Sequence, residues 1–178
     1  MSPFLRRQRL RAAAPHLRGR VLDVGCGSGG LASLMLPADY VGIEIDTASR
    51  QRAATRFPGH RFLEAFPAIS ERFDTVVGLA VLEHVPDPVA FVQLLATHLT
   101  NDPTARLVLT TPHPSVERLH RVGARIGLFS RAANEEHHAL LDRRRLEDVG
   151  RQAGLRLVLY RRFLFGANQL AVYARESS

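Results

Sequence analysis

The chain has 178 residues, of which 46% are hydrophobic and 23% are charged. This length predicts one domain, and this composition excludes wholesale disorder while allowing a buried core. No apolar run approaches the roughly 20 residues that a membrane-spanning helix needs, and the arginine-bearing N-terminus lacks the apolar segment typical of a secretory signal. The single cysteine, Cys26, excludes an internal disulfide and a multi-cysteine metal site. We therefore expect a cytoplasmic protein in a reducing compartment.

The charge of the chain is strongly basic and comes from one residue type. There are 24 basic and 17 acidic residues, for a net charge of +7, and every basic residue is arginine. The absence of lysine excludes Schiff-base chemistry and a Walker-type phosphate lysine. The excess is consistent with an anionic partner such as RNA, a phosphorylated substrate or a membrane surface. A compositional bias with solvated arginines is the simpler interpretation, and the sequence leaves both open.

Helices and strands are predicted to alternate through the N-terminal two thirds of the chain. Helices are predicted at residues 4–14, 31–36, 47–56 and 88–98. Strands are predicted at residues 20–24, 40–45, 61–64, 73–80 and 105–111. Pro15 and Pro37 end the first two helices, Asp46 or Thr47 caps the third, and Asp87 caps the fourth. The first helix belongs to a basic N-terminal segment, residues 1–17.

The C-terminal part is predicted to close the sheet. Asp142 caps a helix that runs to about Ala153, and strands follow at 155–163 and 168–175. These two strands must be antiparallel neighbours, because a parallel crossover needs a dozen or more residues. Segment 112–141 has no clear period and is long for a loop, so we interpret it as an insert that covers the substrate. The whole pattern predicts a single domain, residues 1–178, with the α/β three-layer sandwich fold.

A glycine-rich segment, VLDVGCGSGG, follows the first strand, where open α/β sheets bind their ligands. Gly25, Gly27 and Gly29 remove the Cβ atoms that would keep a ligand away from the backbone. Gly25, Gly27 and Gly30 also match the G-x-G-x-x-G pattern of dinucleotide sites. Asp23 argues against a dinucleotide, because its carboxylate would lie close to the pyrophosphate. The same carboxylate favours a ligand with a cationic amine or sulfonium, and S-adenosylmethionine carries both.

Four segments in order, VLDVGCGSGG, VGIEID, FDTVVGLAVLEHVPDP and LVLTTPHP, resemble the successive motifs of class I S-adenosylmethionine-dependent methyltransferases. The resemblance extends from about residue 18 to residue 175. It implies a Rossmann-like, mostly parallel seven-stranded sheet with an antiparallel last strand, in agreement with the closing pair of strands at 155–175. It also implies S-adenosylmethionine as the cofactor. The segments VLEHVPDP and LTTPHP are similar to the corresponding segments of the family branch that acts on quinone precursors, sugars and other metabolites.

The resemblance assigns cofactor contacts position by position. The cofactor-binding residues that it implies are Asp23, Gly25, Cys26, Gly27, Gly29, Glu44, Ile45, Glu64, Ala65 and Leu79. The glycine loop would hold the methionine part. Glu44, which ends the second strand, would accept hydrogen bonds from both ribose hydroxyls. Ile45 and Glu64 would lie at the adenine, although the family's usual Gly-Asp-Ala wording is absent at Glu64, and Leu79 would line the methyl-donor channel.

The catalytic candidates lie beyond the fourth and fifth strands. Methyl transfer from a sulfonium is an in-line displacement, so the enzyme mainly aligns the nucleophile and excludes water. His84, next to Glu83, is the first candidate for a base or an acceptor-orienting group, and His113 is the second. Packing within the loops is the alternative for each of them. His137 and His138 form a further pair in the insert.

No metal site is predicted. Some related methyltransferases bind a divalent metal through a Glu-x-x-Glu-His arrangement, and Ala80 stands here at the position of the first glutamate. Glu83 and His84 alone supply too few ligands.

We therefore predict methyl transfer to an oxygen or nitrogen nucleophile of a small molecule. Arginines concentrate in the N-terminal helix, in 112–141 and at the start of the following helix, and two of these clusters could border an acceptor cleft. This placement favours an anionic or lipid-linked acceptor. RNA methylation is the alternative that the charge supports, but a nucleic acid partner is not expected, because Gly78-Leu79-Ala80 replaces the family's amino-methylating signature. A cofactor-binding subunit without catalysis is a third hypothesis.

Overall fold

The apolar segments form the strands of one sheet. A computed structural model of the chain describes residues 2–114 and 141–176. Its helices are α1 (Pro3–Ala13), α2 (Thr47–Arg56), α3 (Pro88–Thr97) and α4 (Arg143–Gln152). Its strands are β1 (Val21–Val24), β2 (Tyr40–Ile43), β3 (Arg61–Leu63), β4 (Thr75–Leu79), β5 (Arg106–Pro112), β6 (Leu155–Phe163) and β7 (Asn168–Arg175).

The order of the strands confirms the predicted fold class. The seven-stranded sheet has the order β3-β2-β1-β4-β5-β7-β6. Strands β1 to β5 are parallel, and β7 pairs antiparallel with both β5 and β6. The order reverses between β1 and β4, so the loops that follow these two strands meet at one edge of the sheet. This switch point is where open α/β sheets bind ligands.

The sheet separates two apolar cores. Leu22 and Val24 of β1 belong to the core that also contains residues of α3 and α4. Val21 belongs to the core on the opposite face, together with Ala13 of α1 and residues of the segment between β1 and β2. Because successive side chains of a strand alternate between faces, Asp23 lies on the same face as Val21 and α1.

Helix α1 is anchored on the second face by a buried charge. The side chain of Arg9 is only 5% exposed, and its Nε donates a hydrogen bond to Asn168 Oδ1 of β7 at 3.0 Å. Ala12 and Ala13 are buried beside it. The helix therefore lies across the sheet near the switch point, with Arg6 one turn closer to the loop after β1.

Most predicted helix boundaries are confirmed by their caps. The backbone N–H groups of Val89 and Ala90 donate to the Asp87 carboxylate at 3.0 Å, and the N–H of Arg145 donates to Asp142 at 2.9 Å. Asp46, not Thr47, caps α2. The closing strands match the predicted 155–163 and 168–175.

The predicted helix at 31–36 is wrong. Only a short 3-10 turn, Ala32–Leu34, forms there, and a second one, Pro37–Asp39, leads into β2. Six residues make fewer than two α-helical turns, which are marginal without a packed face. Leu34 and Leu36 are 53% and 70% exposed, so the apolar run does not bury one continuous face.

The greater part of the predicted insert, residues 115–140, lies outside the described residues, as do His137 and His138. Its role as an acceptor cover and the single-domain assignment for 1–178 stay predictions. Within residues 2–114 and 141–176, no helix is long and apolar enough to cross a membrane.

Candidate cofactor and acceptor site

The loops after β1 and β4 and one side of α1 surround a cavity of about 490 Å³. This volume is typical of small-molecule sites. The cavity is lined by residues of four regions, Arg6, Arg9 and Leu10, then Asp23, Gly25–Ser28, Gly30 and Leu31, then Glu44, Ser49 and Arg52, and finally Leu79–Val81 and His84. It therefore brings the predicted glycine loop together with His84, although these residues are far apart in the sequence.

Two glycines give the loop its shape. Gly25 has φ +73°, and a Cβ there would lie 2.6 Å from the side chain of Val81, so the loop after β1 packs against the loop after β4. Gly27 has φ +57°, and a Cβ there would meet no atom within 4 Å. The backbone of Gly27 thus borders open space in the cavity, which permits a ligand to approach it closely.

Glu44 ties the second strand to the glycine loop. The N–H of Gly27 donates to Glu44 Oε2 at 2.8 Å, and the N–H of Asp46 donates to Oε1 at 2.9 Å. A carboxylate has about four lone-pair directions, so Glu44 can accept further hydrogen bonds from a diol. The predicted ribose contact is compatible with this geometry and stays a prediction.

Asp23 is a buried carboxylate at the floor of the cavity. It is 3% exposed, and its Oδ2 accepts a hydrogen bond from Tyr40 Oη at 2.8 Å. Burial raises the pKa of Asp23 to about 7, whereas the Tyr40 hydrogen bond and the Arg6 guanidinium lower it and Glu44 raises it. Burial therefore disfavours the charged form of Asp23, and a cationic ligand group would stabilise it.

Arg6 is a site residue that the sequence predictions missed. Its Nη1 donates to Ser28 Oγ at 2.9 Å, and its guanidinium lies so close to Gly30 that a Cβ there would be 2.8 Å from Nε. Its Nη2 is buried with no hydrogen-bond partner among the described residues. A buried donor without a partner costs free energy, so an anionic ligand group would fit here. The spacing of Arg6, Arg9 and Leu10 at i, i+3 and i+4 was the signal, because it places them on one helix face.

The β4 end of the cavity contains His84. Ala80 has φ +61°, an uncommon conformation for a residue with a Cβ, and it turns the chain from β4 toward the 3-10 turn Leu82–His84. His84 is exposed and lines the cavity. The side chain is thus placed between the cofactor loop and solvent.

Glu83 does not line the cavity. Burial raises its pKa, and Arg9 and His84 lower it. Its Oε2 has no hydrogen-bond partner among the described residues. Glu83 is thus influenced by the charges of Arg9 and His84, and a direct catalytic role for it stays a prediction.

Five of the predicted residues, Gly29, Ile45, Glu64, Ala65 and His113, are not among the residues that line the cavity. His113 follows β5, and its N–H donates to the Ala167 carbonyl at 2.9 Å. Glu64 forms an ion pair with Arg50 at 2.9 Å. Ile45 is 80% exposed, and neither it nor Ala65 is among the lining residues. Their catalytic and adenine contacts stay predictions. No group of three His, Cys, Asp or Glu side chains within the described ranges is placed to hold a metal ion.

The fold is the Rossmann-like methyltransferase fold. Residues 1–160 match the model of a protein family described as methyltransferase domain. The chain therefore belongs to the methyltransferase-domain family, and the predicted class of S-adenosylmethionine-dependent methyltransferases is confirmed. S-adenosylmethionine is the cofactor of this family.

Similar proteins agree with this assignment. The ubiquinone biosynthesis O-methyltransferase of Ruegeria pomeroyi is 30% identical over 161 residues, which cover 82% of this chain and 63% of that protein. The protein of the same name from Paracidovorax citrulli is 40% identical over 95 residues, covering 47% of this chain and 40% of its own length. The chain thus spans less than two thirds of the curated relatives it matches.

Solved structures share the fold. A possible histamine N-methyltransferase from Thermotoga maritima has a TM-score of 0.73 at 18% identity, over 97% of this chain and 92% of that one. Magnesium protoporphyrin IX methyltransferase from Synechocystis, solved with bound SAH, has a TM-score of 0.68 at 18% identity, over 97% of this chain and 82% of that one. At this identity the likeness concerns the fold.

Replacing Gly27 by alanine separates ligand binding from stability. Gly27 and Gly154 both have positive φ and open space at the Cβ position, but only Gly27 borders the cavity. Both Gly27→Ala and Gly154→Ala should lower the free energy of unfolding by about 1–2 kcal/mol, because alanine disfavours this conformation. Only Gly27→Ala should weaken S-adenosylmethionine binding, by about tenfold or ~1.4 kcal/mol. Calorimetric titration and urea unfolding measure the two effects, and equal affinities for both variants would remove Gly27 from the site.

Proposed function

We propose that this domain transfers a methyl group from S-adenosylmethionine to an oxygen of a small-molecule acceptor. One observation carries the proposal: the glycine loop with its acids and His84 line the same cavity of about 490 Å³. A cofactor held by the loop and an acceptor near His84 would be neighbours there. Holding both in one cavity would supply the alignment that this displacement requires.

The charges around the loop suit the amino-acid end of the cofactor. Arg6, with its unpartnered Nη2, would bind the cofactor's carboxylate, and Asp23 would bind its ammonium group. Glu44 would accept from the ribose hydroxyls. Ile45, 80% exposed immediately after Glu44, offers an apolar surface for the adenine. The bound cofactor supplies an activated methyl group.

His84 would assist the acceptor. An acceptor hydroxyl becomes a better nucleophile when a base removes its proton, and an imidazole nitrogen can accept that proton. Because His84 is exposed, it can pass the proton on to solvent. Arg9, which also lines the cavity, would attract the Glu83 carboxylate next to His84 in the chain.

The names of the relatives and the charge of the cavity support the proposed acceptor class. Two relatives with 30% and 40% identity are named ubiquinone biosynthesis O-methyltransferase, which favours a hydroxyl acceptor. Arg6 and Arg9 bring positive charge to the cavity, and Arg52 lies at its rim. This charge favours an acceptor with an anionic group, and a lipid-linked acceptor is a further part of the proposal.

An acceptor panel tests the proposed reaction. The chain is incubated with S-adenosylmethionine carrying a radiolabelled methyl group and, in separate reactions, with catechols, hydroxybenzoates with and without a prenyl chain, primary amines, and total RNA. We expect label in the phenolic compounds, with higher rates for those that carry a carboxylate. Label that enters only amines or only RNA would contradict the O-methylation proposal.

Substitution of His84 tests its role as a base. His84→Ala should lower the turnover number by about 10²–10⁴, the usual contribution of general-base catalysis, with the affinity for S-adenosylmethionine nearly unchanged. His16→Ala is the control, because His16 is a histidine outside the cavity lining. A turnover number for His84→Ala equal to that of the control would remove His84 from the mechanism.

A further inference from the structure

A tyrosine beneath the glycine loop contacts the one buried acid of the cavity. Tyr40, the first residue of β2, is 1% exposed. Its hydroxyl donates to Asp23 Oδ2 at 2.8 Å, across to the neighbouring strand β1. Tyr40 itself lies outside the glycine-rich segment VLDVGCGSGG that contains Asp23.

Gly42 of β2 leaves space for the Tyr40 hydroxyl beside Asp23. In the sheet, Asp23 pairs with Gly42, and Tyr40 lies two residues earlier on the same face. A Cβ at Gly42 would lie 2.8 Å from Tyr40 Oη and 2.9 Å from Phe62. The space left by the missing side chain of Gly42 is therefore shared by the Tyr40 hydroxyl, the Phe62 ring and Cys26 Sγ, which would also lie 2.8 Å from that Cβ.

The ring of Tyr40 is fixed by aromatic neighbours. It packs edge-to-face against His60, with ring centroids 5.5 Å apart, and against Phe62 at 5.8 Å. His60 is itself held by a hydrogen bond with the Met35 carbonyl at 3.1 Å. With the ring held on these sides, the hydroxyl points to Asp23 before any ligand binds.

We propose that Tyr40 is a positioning residue for the cofactor, whose hydroxyl orients the Asp23 carboxylate toward the cofactor's ammonium group. The inference rests on the proposed cofactor arrangement. Tyr40 uses only Oδ2, which leaves Oδ1 for a ligand. A hydrogen bond to the ionised form of an acid stabilises that form, so Tyr40 also keeps Asp23 available as a charge.

Other groups around Asp23 also affect whether its carboxylate is ionised. Arg6 from α1 attracts the carboxylate, and Glu44 after β2 repels it. Cys26 lies in the loop next to it, and burial raises the pKa of this thiol to about 12, so it stays neutral. Burial itself is the largest effect and raises the pKa of Asp23 to about 7. Near pH 7 the loss of one donor therefore changes the fraction of ionised Asp23 most strongly.

The test is the pH dependence of S-adenosylhomocysteine binding by the full chain, measured by calorimetry between pH 6 and 9. In the natural chain, affinity should fall as the pH drops below about 7, because Asp23 takes up a proton. Tyr40→Phe removes the donor and keeps the ring. If the pKa of Asp23 rises by about one unit, affinity at pH 7 falls about fivefold relative to the natural chain, and the difference closes toward pH 9. The ligand's amino group titrates equally in both measurements, so the ratio of affinities reports on the protein.

Two control variants make the outcomes distinct. Tyr173→Phe removes an equally buried hydroxyl, which donates to the Leu146 carbonyl at 3.0 Å on the other face of the sheet. Its affinity should equal that of the natural chain at every pH. Asp23→Asn should bind weakly throughout, without the step near pH 7. If Asp23→Asn binds like the natural chain, the proposed cofactor arrangement itself fails.

A different result would overturn the proposed role of Tyr40. It is overturned if Asp23→Asn loses affinity while Tyr40→Phe either follows the natural chain at all pH values or is weakened equally at all of them. If Tyr40→Phe does not fold, the three tyrosines of the chain are replaced biosynthetically by 3-fluorotyrosine, a stronger donor of nearly the same size. The step in affinity should then move to lower pH, and an unmoved step would overturn the inference.

Discussion

A carboxylate held away from water is the constraint on which this site depends. Asp23 lies on a strand of four residues, on the face covered by α1, where burial disfavours its charge. Two neighbouring side chains offset part of this free-energy cost. Tyr40 donates a hydrogen bond, and Arg6 contributes a positive charge. A cationic group of a ligand would stabilise the Asp23 carboxylate further. The burial of Asp23 therefore favours ligands that carry a positive charge.

The position of α1 connects this constraint to the rest of the fold. Arg9 is buried against Asn168 of β7, so the antiparallel strand that closes the sheet also anchors the helix that brings Arg6 to the glycine loop. Two of the arginines that contribute to the net charge of +7, Arg6 and Arg9 of α1, thus line the cavity. By contrast, Arg143 at the start of α4 pairs with Glu147 on the surface at 3.4 Å, and such exposed pairs contribute little.

Local rules predicted most of the fold. An aspartate before a helix is a signal that acts over a few residues, and the caps at Asp87 and Asp142 follow it. The segment 31–36 was mispredicted because its leucines suggested a helix, whereas the decisive factors were its shortness and the lack of a buried face for Leu34 and Leu36. Arg6 and Tyr40 could not be predicted as neighbours of Asp23, because their contacts depend on how α1 and β2 lie across β1. The glycine loop was predicted as a ligand site from its place after the first strand, and His84 as a candidate from its place beyond the fourth strand; residues of both line one cavity.

The central claim is that the cavity recognises the charged amino-acid end of its cofactor. The most direct test is a calorimetric titration of the chain with S-adenosylhomocysteine, with 5′-methylthioadenosine, which has the nucleoside but no amino acid, and with NAD. We expect one molar equivalent of S-adenosylhomocysteine to bind, and NAD not to bind. S-adenosylhomocysteine should bind about a hundredfold more tightly than 5′-methylthioadenosine, because the latter lacks the two charge-assisted contacts of the amino acid. Equal affinities for the two adenosine compounds, or tight binding of NAD, would contradict it.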